Sequence, residues 1–209
     1  MPRRKDGIET QELILTTAAK LFADNGYAKT TNAEIARSCG GINPALISYY
    51  FGDKATLYVQ AWEHAHTASI RNYPYPNDPE HRIPAFKRLH TIIESDIRRR
   101  SDSNCYDNDI MLNELSSPTG LLGDVHEKSL CSLRSALREV VAEILGEKCP
   151  VEVQRLAVLS IFSMCVVPVR KIQSLETDVQ YTFDTAKRVE HVYNFALAGL
   201  LDILNRRGE

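Results

Sequence analysis

Two helix-start signals lie twelve residues apart, at Thr31 and Asn43, with a pair of glycines between them. They leave this stretch few ways to fold. Thr31 and Glu34 have the T-x-x-E spacing of a capping box, in which each side chain satisfies an orphan amide at the start of a helix. That helix is short: Ile35, Ala36 and Cys39 form its buried side, and Gly40 ends it. A second helix starts almost at once. Asn43 is a strong N-cap, worth about 1 kcal/mol over alanine, and Pro44 takes the first helical position, where its missing N–H costs nothing. Ile42 and Ile47 flank this start with the spacing of a hydrophobic staple. Two short helices, a tight glycine turn and a supporting first helix describe a helix-turn-helix.

The second of these helices, Pro44 to Phe51, divides by angle at 100° per residue. Ile47 and Phe51 fall together and predict a buried face. Ala45 and Tyr49 lie opposite, with Leu46 and Ser48 beside them and Tyr50 projecting from the side. A solvent-facing set of Ala, Leu and two Tyr is poorly explained by solubility. A helix that reads a DNA groove explains it better, because apolar groups touch thymine methyls and hydroxyls reach phosphates or base edges.

The rest of the chain is predicted to be helical, with no convincing alternation of apolar and polar residues. A first helix spans about Glu9 to Asn25, ended by Gly26 in a left-handed conformation. Four prolines between Asn72 and Pro84 forbid a helix there and predict a loop. Beyond it, Phe86, Leu89, Ile93 and Ile97 mark a fifth helix, Ile110, Met111 and Leu115 a sixth, and Val125 to Ile144 a seventh closed by Gly146. Pro150 opens an eighth helix, which Pro168 is expected to kink, and a ninth runs from Phe183 to Leu204. The expected fold is all-α: a three-helix DNA-binding head over residues 1–52, a connecting fourth helix over 53–71, and a larger helical ligand-binding and dimerisation domain over 72–209.

The eighth helix is apolar over most of its circumference between Leu156 and Val169, and the ninth carries a seam at Val189, Tyr193, Ala196, Leu200 and Ile203. A helix apolar on more than one side needs more than one partner. A second copy of the chain is the natural cover, since two-fold dimers are the commonest assembly. Phe86, Met111, Phe162 and Met164 are candidates for a pocket lining, and serve equally well as core.

Charge adds little. The whole chain has a formal net charge of -2, with 7 Lys/Arg against 6 Asp/Glu in residues 1–56 and a small basic arm, Arg3-Arg4-Lys5, that either reaches DNA or is merely solvated. The five cysteines show no C-x-x-C pair and the six histidines no metal spacing, so neither a metal nor a cofactor is expected. No P-loop, dinucleotide fingerprint or G-x-S-x-G occurs, and no enzyme activity is expected. The start of the chain lacks the apolar stretch of a secretory signal, and Leu156 to Val169 is too short for a membrane span. The expected setting is reducing and cytoplasmic, without a membrane partner.

From Ala18 to Ala36 the residues read A-A-x-x-L-F-A-x-x-G-Y-x-x-T-T-x-x-x-I-A, continuing with Asn43-Pro44-Ala45-Leu46-Ile47-Ser48-Tyr49-Tyr50-Phe51, Lys54 and Leu57. This string resembles the opening quarter of a tetracycline-repressor (TetR) family regulator. The later string Asn113-Glu114-Leu115-Ser116-Ser117-Pro118 more weakly resembles a branch with a CerR-like C-terminal domain. The resemblance implies that Thr31, Tyr50 and Lys54 contact phosphates, while Pro44, Ala45, Leu46, Ser48 and Tyr49 face the major groove. It also implies a homodimeric repressor, joined through its two C-terminal helices and released from a palindromic operator by a small-molecule effector. An activator, a regulator without a ligand, a helical enzyme or a protein-interaction module are the alternatives. Two departures stand out: the turn Cys39-Gly40-Gly41-Ile42 is one residue longer than usual, and Ser48 replaces a common tyrosine, leaving its phosphate contact open.

Overall fold

The computed structural model describes residues 3–166 and 184–206, and all regular structure among them is helical. The helices are α1 (Arg3–Lys29), α2 (Asn32–Ser38), α3 (Pro44–Phe51), α4 (Lys54–Asn72), α5 (Ala85–Ser101), α6 (Tyr106–Ser116), α7 (Gly123–Leu145), α8 (Val151–Val166) and α9 (Thr185–Asn205). The expected kink at Pro168 and the start of the ninth helix at Phe183 lie outside the described residues. Pro150 precedes α8 rather than opening it, and its carbonyl accepts from the Gln154 amide at 3.1 Å.

Packing divides the chain into two compact units. The first comprises residues 1–71 and 103–127, the second residues 72–102 and 128–209. Residues 103–127, assigned on sequence to the C-terminal domain, therefore pack with the N-terminal helices.

The first unit is built on one apolar cluster in which Ile14, Ala18 and Phe22 of α1 meet Ile35 of α2, Ile47 and Phe51 of α3, Leu57, Ala61 and Trp62 of α4, and Ile110 and Met111 of α6. The i, i+4 and i+3 spacing of these residues puts each set on one helix face. Phe22, Tyr27 and Tyr58 form an aromatic group, with ring centroids 4.8 Å apart for Phe22–Tyr58 and 4.9 Å for Tyr27–Tyr58. Polar bonds tie α6 into the same unit. The Asn113 side-chain amide donates to the carbonyls of Phe22 (3.1 Å) and Ala23 (2.9 Å), near the end of α1. The buried carboxylate of Asp107 pairs with His66 Nδ1 (2.9 Å) and accepts from Ser69 Oγ (2.6 Å), while the Asp107 carbonyl accepts from Trp62 Nε1 (3.2 Å).

The second unit has its own core, with Leu89, Ile93 and Ile97 of α5, Leu133, Leu137 and Val141 of α7, Ile161 and Cys165 of α8, and Val189, Val192, Ala196 and Leu200 of α9. Burial pushes the Cys165 thiol up to about 12, which keeps it protonated and unreactive. Three buried charges, Arg88, Asp96 and Arg99, are paired, Arg99 with Asp96 at 3.4 Å. Arg88 binds Glu139 at 2.9 Å and also Glu143, and Asp96 accepts from Tyr75 Oη (2.9 Å) and Arg100 Nε (2.6 Å). The α9 seam expected to meet a second copy is used differently. Val189, Ala196 and Leu200 are buried in the unit's own core, because α9 packs on α5 and α8 of the same chain.

Candidate nucleic-acid interface

Local interactions set the two helices that carry the expected contact residues. Thr31 has extended backbone angles and its Oγ1 accepts from the Glu34 amide at 3.2 Å, capping α2. The other half of the expected capping box does not form: the Glu34 carboxylate accepts from Asn25 Nδ2 at 3.3 Å, joining α2 to the end of α1. Asn43 caps α3 as expected, its Oδ1 accepting from the Ala45 amide at 2.9 Å, with Pro44 next.

The longer turn is accommodated by its glycines. Gly40 and Gly41 both have positive φ, 82° and 79°, a region where a side chain would crowd the carbonyl. The turn is closed by bonds back to α2. The Gly41 amide donates to the carbonyls of Ala36 (3.1 Å) and Arg37 (3.2 Å), and the Ile42 amide also reaches Ala36 at 3.1 Å. The extra residue thus extends the turn while the Cys39, Gly41 and Ile42 amides all stay bonded back to α2.

On α3, Ile47 and Phe51 are buried, and Pro44, Ala45, Leu46, Ser48 and Tyr49 are exposed. Tyr49 is 80 % exposed, an unusual position for a large ring within a well-packed unit. Tyr50 is half-buried and lies between its neighbours, 5.2 Å from the Tyr49 ring and 6.2 Å from Phe51. Its hydroxyl approaches α1, lying 3.6 Å from where a side chain at Gly7 would begin. Thr31 is exposed. Lys54 is half-buried, with Nζ 4.3 Å from the centre of the Tyr27 ring, and burial draws its ammonium below the usual lysine value.

Sequence reasoning missed the cap of α4. Asp53 Oδ1 accepts from the Thr56 amide at 2.7 Å, and this bond holds the carboxyl below its ordinary value. The signal was available, since aspartate is a preferred N-cap. The four candidate pocket residues are not brought together. Met111 belongs to the first unit's core and Phe86 is exposed, whereas Phe162 lines a cavity beside α7 and Met164 a groove beside α9. Among the described residues there is no metal-binding group of His, Cys, Asp or Glu, and no helix long and apolar enough to cross a membrane.

Two short helices set by their caps, a glycine turn and an outward face on the second define a helix-turn-helix DNA-binding regulator. Comparison with known proteins agrees: residues 14–61 match the model of bacterial regulatory proteins of the tetR family, and residues 84–200 match the C-terminal domain of the HTH-type transcriptional dual regulator CecR. The chain belongs to the tetR family of transcriptional regulators, in the branch with a CecR-type C-terminal domain. The branch name expected on sequence, CerR, is corrected to CecR.

The HTH-type transcriptional regulator AcrR of Shigella flexneri is 33 % identical over 60 residues, which span 29 % of this chain and 27 % of AcrR. Among solved structures, a transcriptional regulator from Pseudomonas aeruginosa superposes with a TM-score of 0.70 at 17 % identity, covering 99 % of this chain and 95 % of that one. The fatty acid degradation regulator FadR of Bacillus halodurans gives 0.66 at 18 % identity, covering 90 % and 97 %. These two likenesses establish the fold.

Proposed function

We propose that this protein is a homodimeric repressor that binds a palindromic operator and is released by a small-molecule effector. The observation that carries the DNA contact is the outward face of α3, where Ala45, Leu46, Ser48 and Tyr49 stand exposed above buried Ile47 and Phe51. On this reading Pro44, Ala45, Leu46, Ser48 and Tyr49 meet the major groove, and Thr31, Tyr50 and Lys54 hold phosphates. Lys29 and Arg37, exposed in the last turns of α1 and α2, add cations to the same unit.

The dimer is supported by a second apolar surface. Leu156 and Phe195 are 58 % and 64 % exposed, and they border a groove of about 370 Å³ between α8 and α9 with Ser160, Met164 and Gly199. A second copy laid on this groove buries both large side chains. Two heads joined in this way read half-sites about one helical turn apart, near 34–36 Å. The effector binds the second unit, residues 72–102 and 128–209, and the head over residues 1–52 lies in the first. A coupling of roughly 1–3 kcal/mol between effector and operator weakens DNA binding about 5- to 150-fold.

Fluorescence anisotropy with the DNA flanking the protein's own gene tests the central claim. The wild type is expected to bind, and a folded Tyr49→Ala/Lys54→Ala double variant to lose most of that affinity. Equal binding by the two proteins refutes the assignment of α3 as the reading helix. The CecR description as a dual regulator favours one second reading, in which the same contacts activate some promoters.

A further inference from the structure

Helices α7 and α8 enclose an open cavity of about 660 Å³ that no sequence motif announces. Three arginines line it: Arg134 and Arg138, one turn apart on α7, and Arg155 on α8. Leu130, Leu159 and Phe162 supply apolar wall. The Arg134 guanidinium lies over the Phe162 ring, 5.8 Å from its centre, and the buried Arg134 Nε has no hydrogen-bond partner. Other arginines of this unit have carboxylates: Arg88 has Glu139 and Glu143, Arg98 has Glu94, and Arg99 and Arg100 share Asp96. Among the described residues none of the three cavity arginines has a carboxylate within ion-pair distance.

Arg134 is half-buried and Arg138 and Arg155 are exposed, and an oxyanion placed in the cavity they line is attracted by all three. The guanidinium presents paired donors that match a carboxylate, and the Phe162 ring beside Arg134 offers an apolar surface next to that fork. A cavity of this size lies within the range of small-molecule sites. It also stands apart from the groove between α8 and α9, because Leu156, Ser160 and Met164 line that groove and none of them lines this cavity.

We infer that the cavity between α7 and α8 binds a small amphipathic carboxylate, its head held by the arginines and its apolar body against Phe162 and Leu159. The inference deepens the proposed effector binding by naming a site and a ligand class, and binding at the site is measurable apart from DNA release.

The test is calorimetric titration of the full chain with three probes: decanoate below its aggregation concentration, decanol, which has the body without the charge, and acetate, which has the head without the body. Saturable binding of one decanoate per chain is expected, with decanol and acetate weaker by about tenfold or more. Arg134→Gln/Arg155→Gln, checked for folding by circular dichroism, is expected to lose about tenfold or more. Should that double variant misfold, Arg138→Gln at an exposed position is expected to weaken decanoate severalfold. The inference is overturned by no saturable decanoate binding, by decanol binding as tightly as decanoate, or by unchanged affinity in a folded arginine variant. Operator affinity with and without decanoate is read separately. Unchanged DNA binding by the decanoate-bound protein counts against the ligand-released repressor and leaves the site standing.

Discussion

Tyr49 shows how a single residue separates stability from function. With four-fifths of its surface in water, its ring contributes little to the first unit's core. Tyr49→Ala is therefore expected to change unfolding free energy by no more than about 0.5 kcal/mol in a urea titration, while altering which operator is preferred. Lys54 is a different case. Its Nζ sits over the Tyr27 ring, so Lys54→Ala removes a cation–π contact together with the proposed phosphate contact. The expected result is weaker binding to all sequences, a salt dependence shallower by about one unit of slope, and a stability loss of about 0.5–1 kcal/mol. Asn43→Ala, by removing the α3 cap, is expected to cost about 1 kcal/mol in the same titration. The exposed α3 residues were legible from helical angle alone. The Tyr27 ring under Lys54 was not, because that contact joins the end of α1 to the start of α4.

At the scale of elements, the helix starts are governed by neighbouring residues and their ends by backbone geometry. Gly41 has φ of 79°, and Gly41→Ala is expected to destabilise the unit by about 1 kcal/mol or more, as a side chain in that region is strained even with open space around it. A loss near zero in urea unfolding refutes that account of the turn. The α4 cap carries a pH signature. The Thr56 amide holds the Asp53 carboxyl below its ordinary 3.8, so the folded state binds that proton less readily than the unfolded chain does. The cap's contribution is thus fully present above the ordinary value and is lost as pH falls through the lowered one. Asp53→Asn keeps an acceptor without the titration, and is expected to flatten the fall in melting temperature between about pH 5 and pH 2. The Glu34–Asn25 bond is a tertiary choice: the capping-box pattern offered Glu34 a local partner, and the packing of α2 against α1 supplied another.

For the whole molecule, the proposed dimer raises the question of which apolar surface a second copy would cover. Leu200 is 2 % exposed within one chain, so Leu200→Asp places a carboxylate in the chain's own core and is expected to unfold the second unit rather than merely separate subunits. Phe195 is the informative position. Phe195→Asp is expected to keep helicity and melting behaviour while shifting sedimentation from dimer to monomer, with operator affinity falling as one head alone loses half the contacts. A stable Phe195→Asp dimer moves the interface away from the α8–α9 groove.

The all-helical class, the helix-turn-helix with its Thr31 and Asn43 caps, and the family were legible along the chain, because each rests on residues within a few positions of one another. Helix periodicity, N-cap chemistry and turn glycines act over about one or two helical turns. Which helices pack together is settled by contacts between distant parts of the chain. Placing α6 with the head depends on Asn113 reaching the carbonyls of Phe22 and Ala23, about ninety residues earlier. The same holds for α9, whose heptad-like spacing fits a partner in another chain or in its own equally well. Periodicity marks which face of a helix is apolar, but the identity of the surface that covers it is a non-local fact. Here α5 and α8 cover the Val189–Leu200 face and leave Phe195 in water.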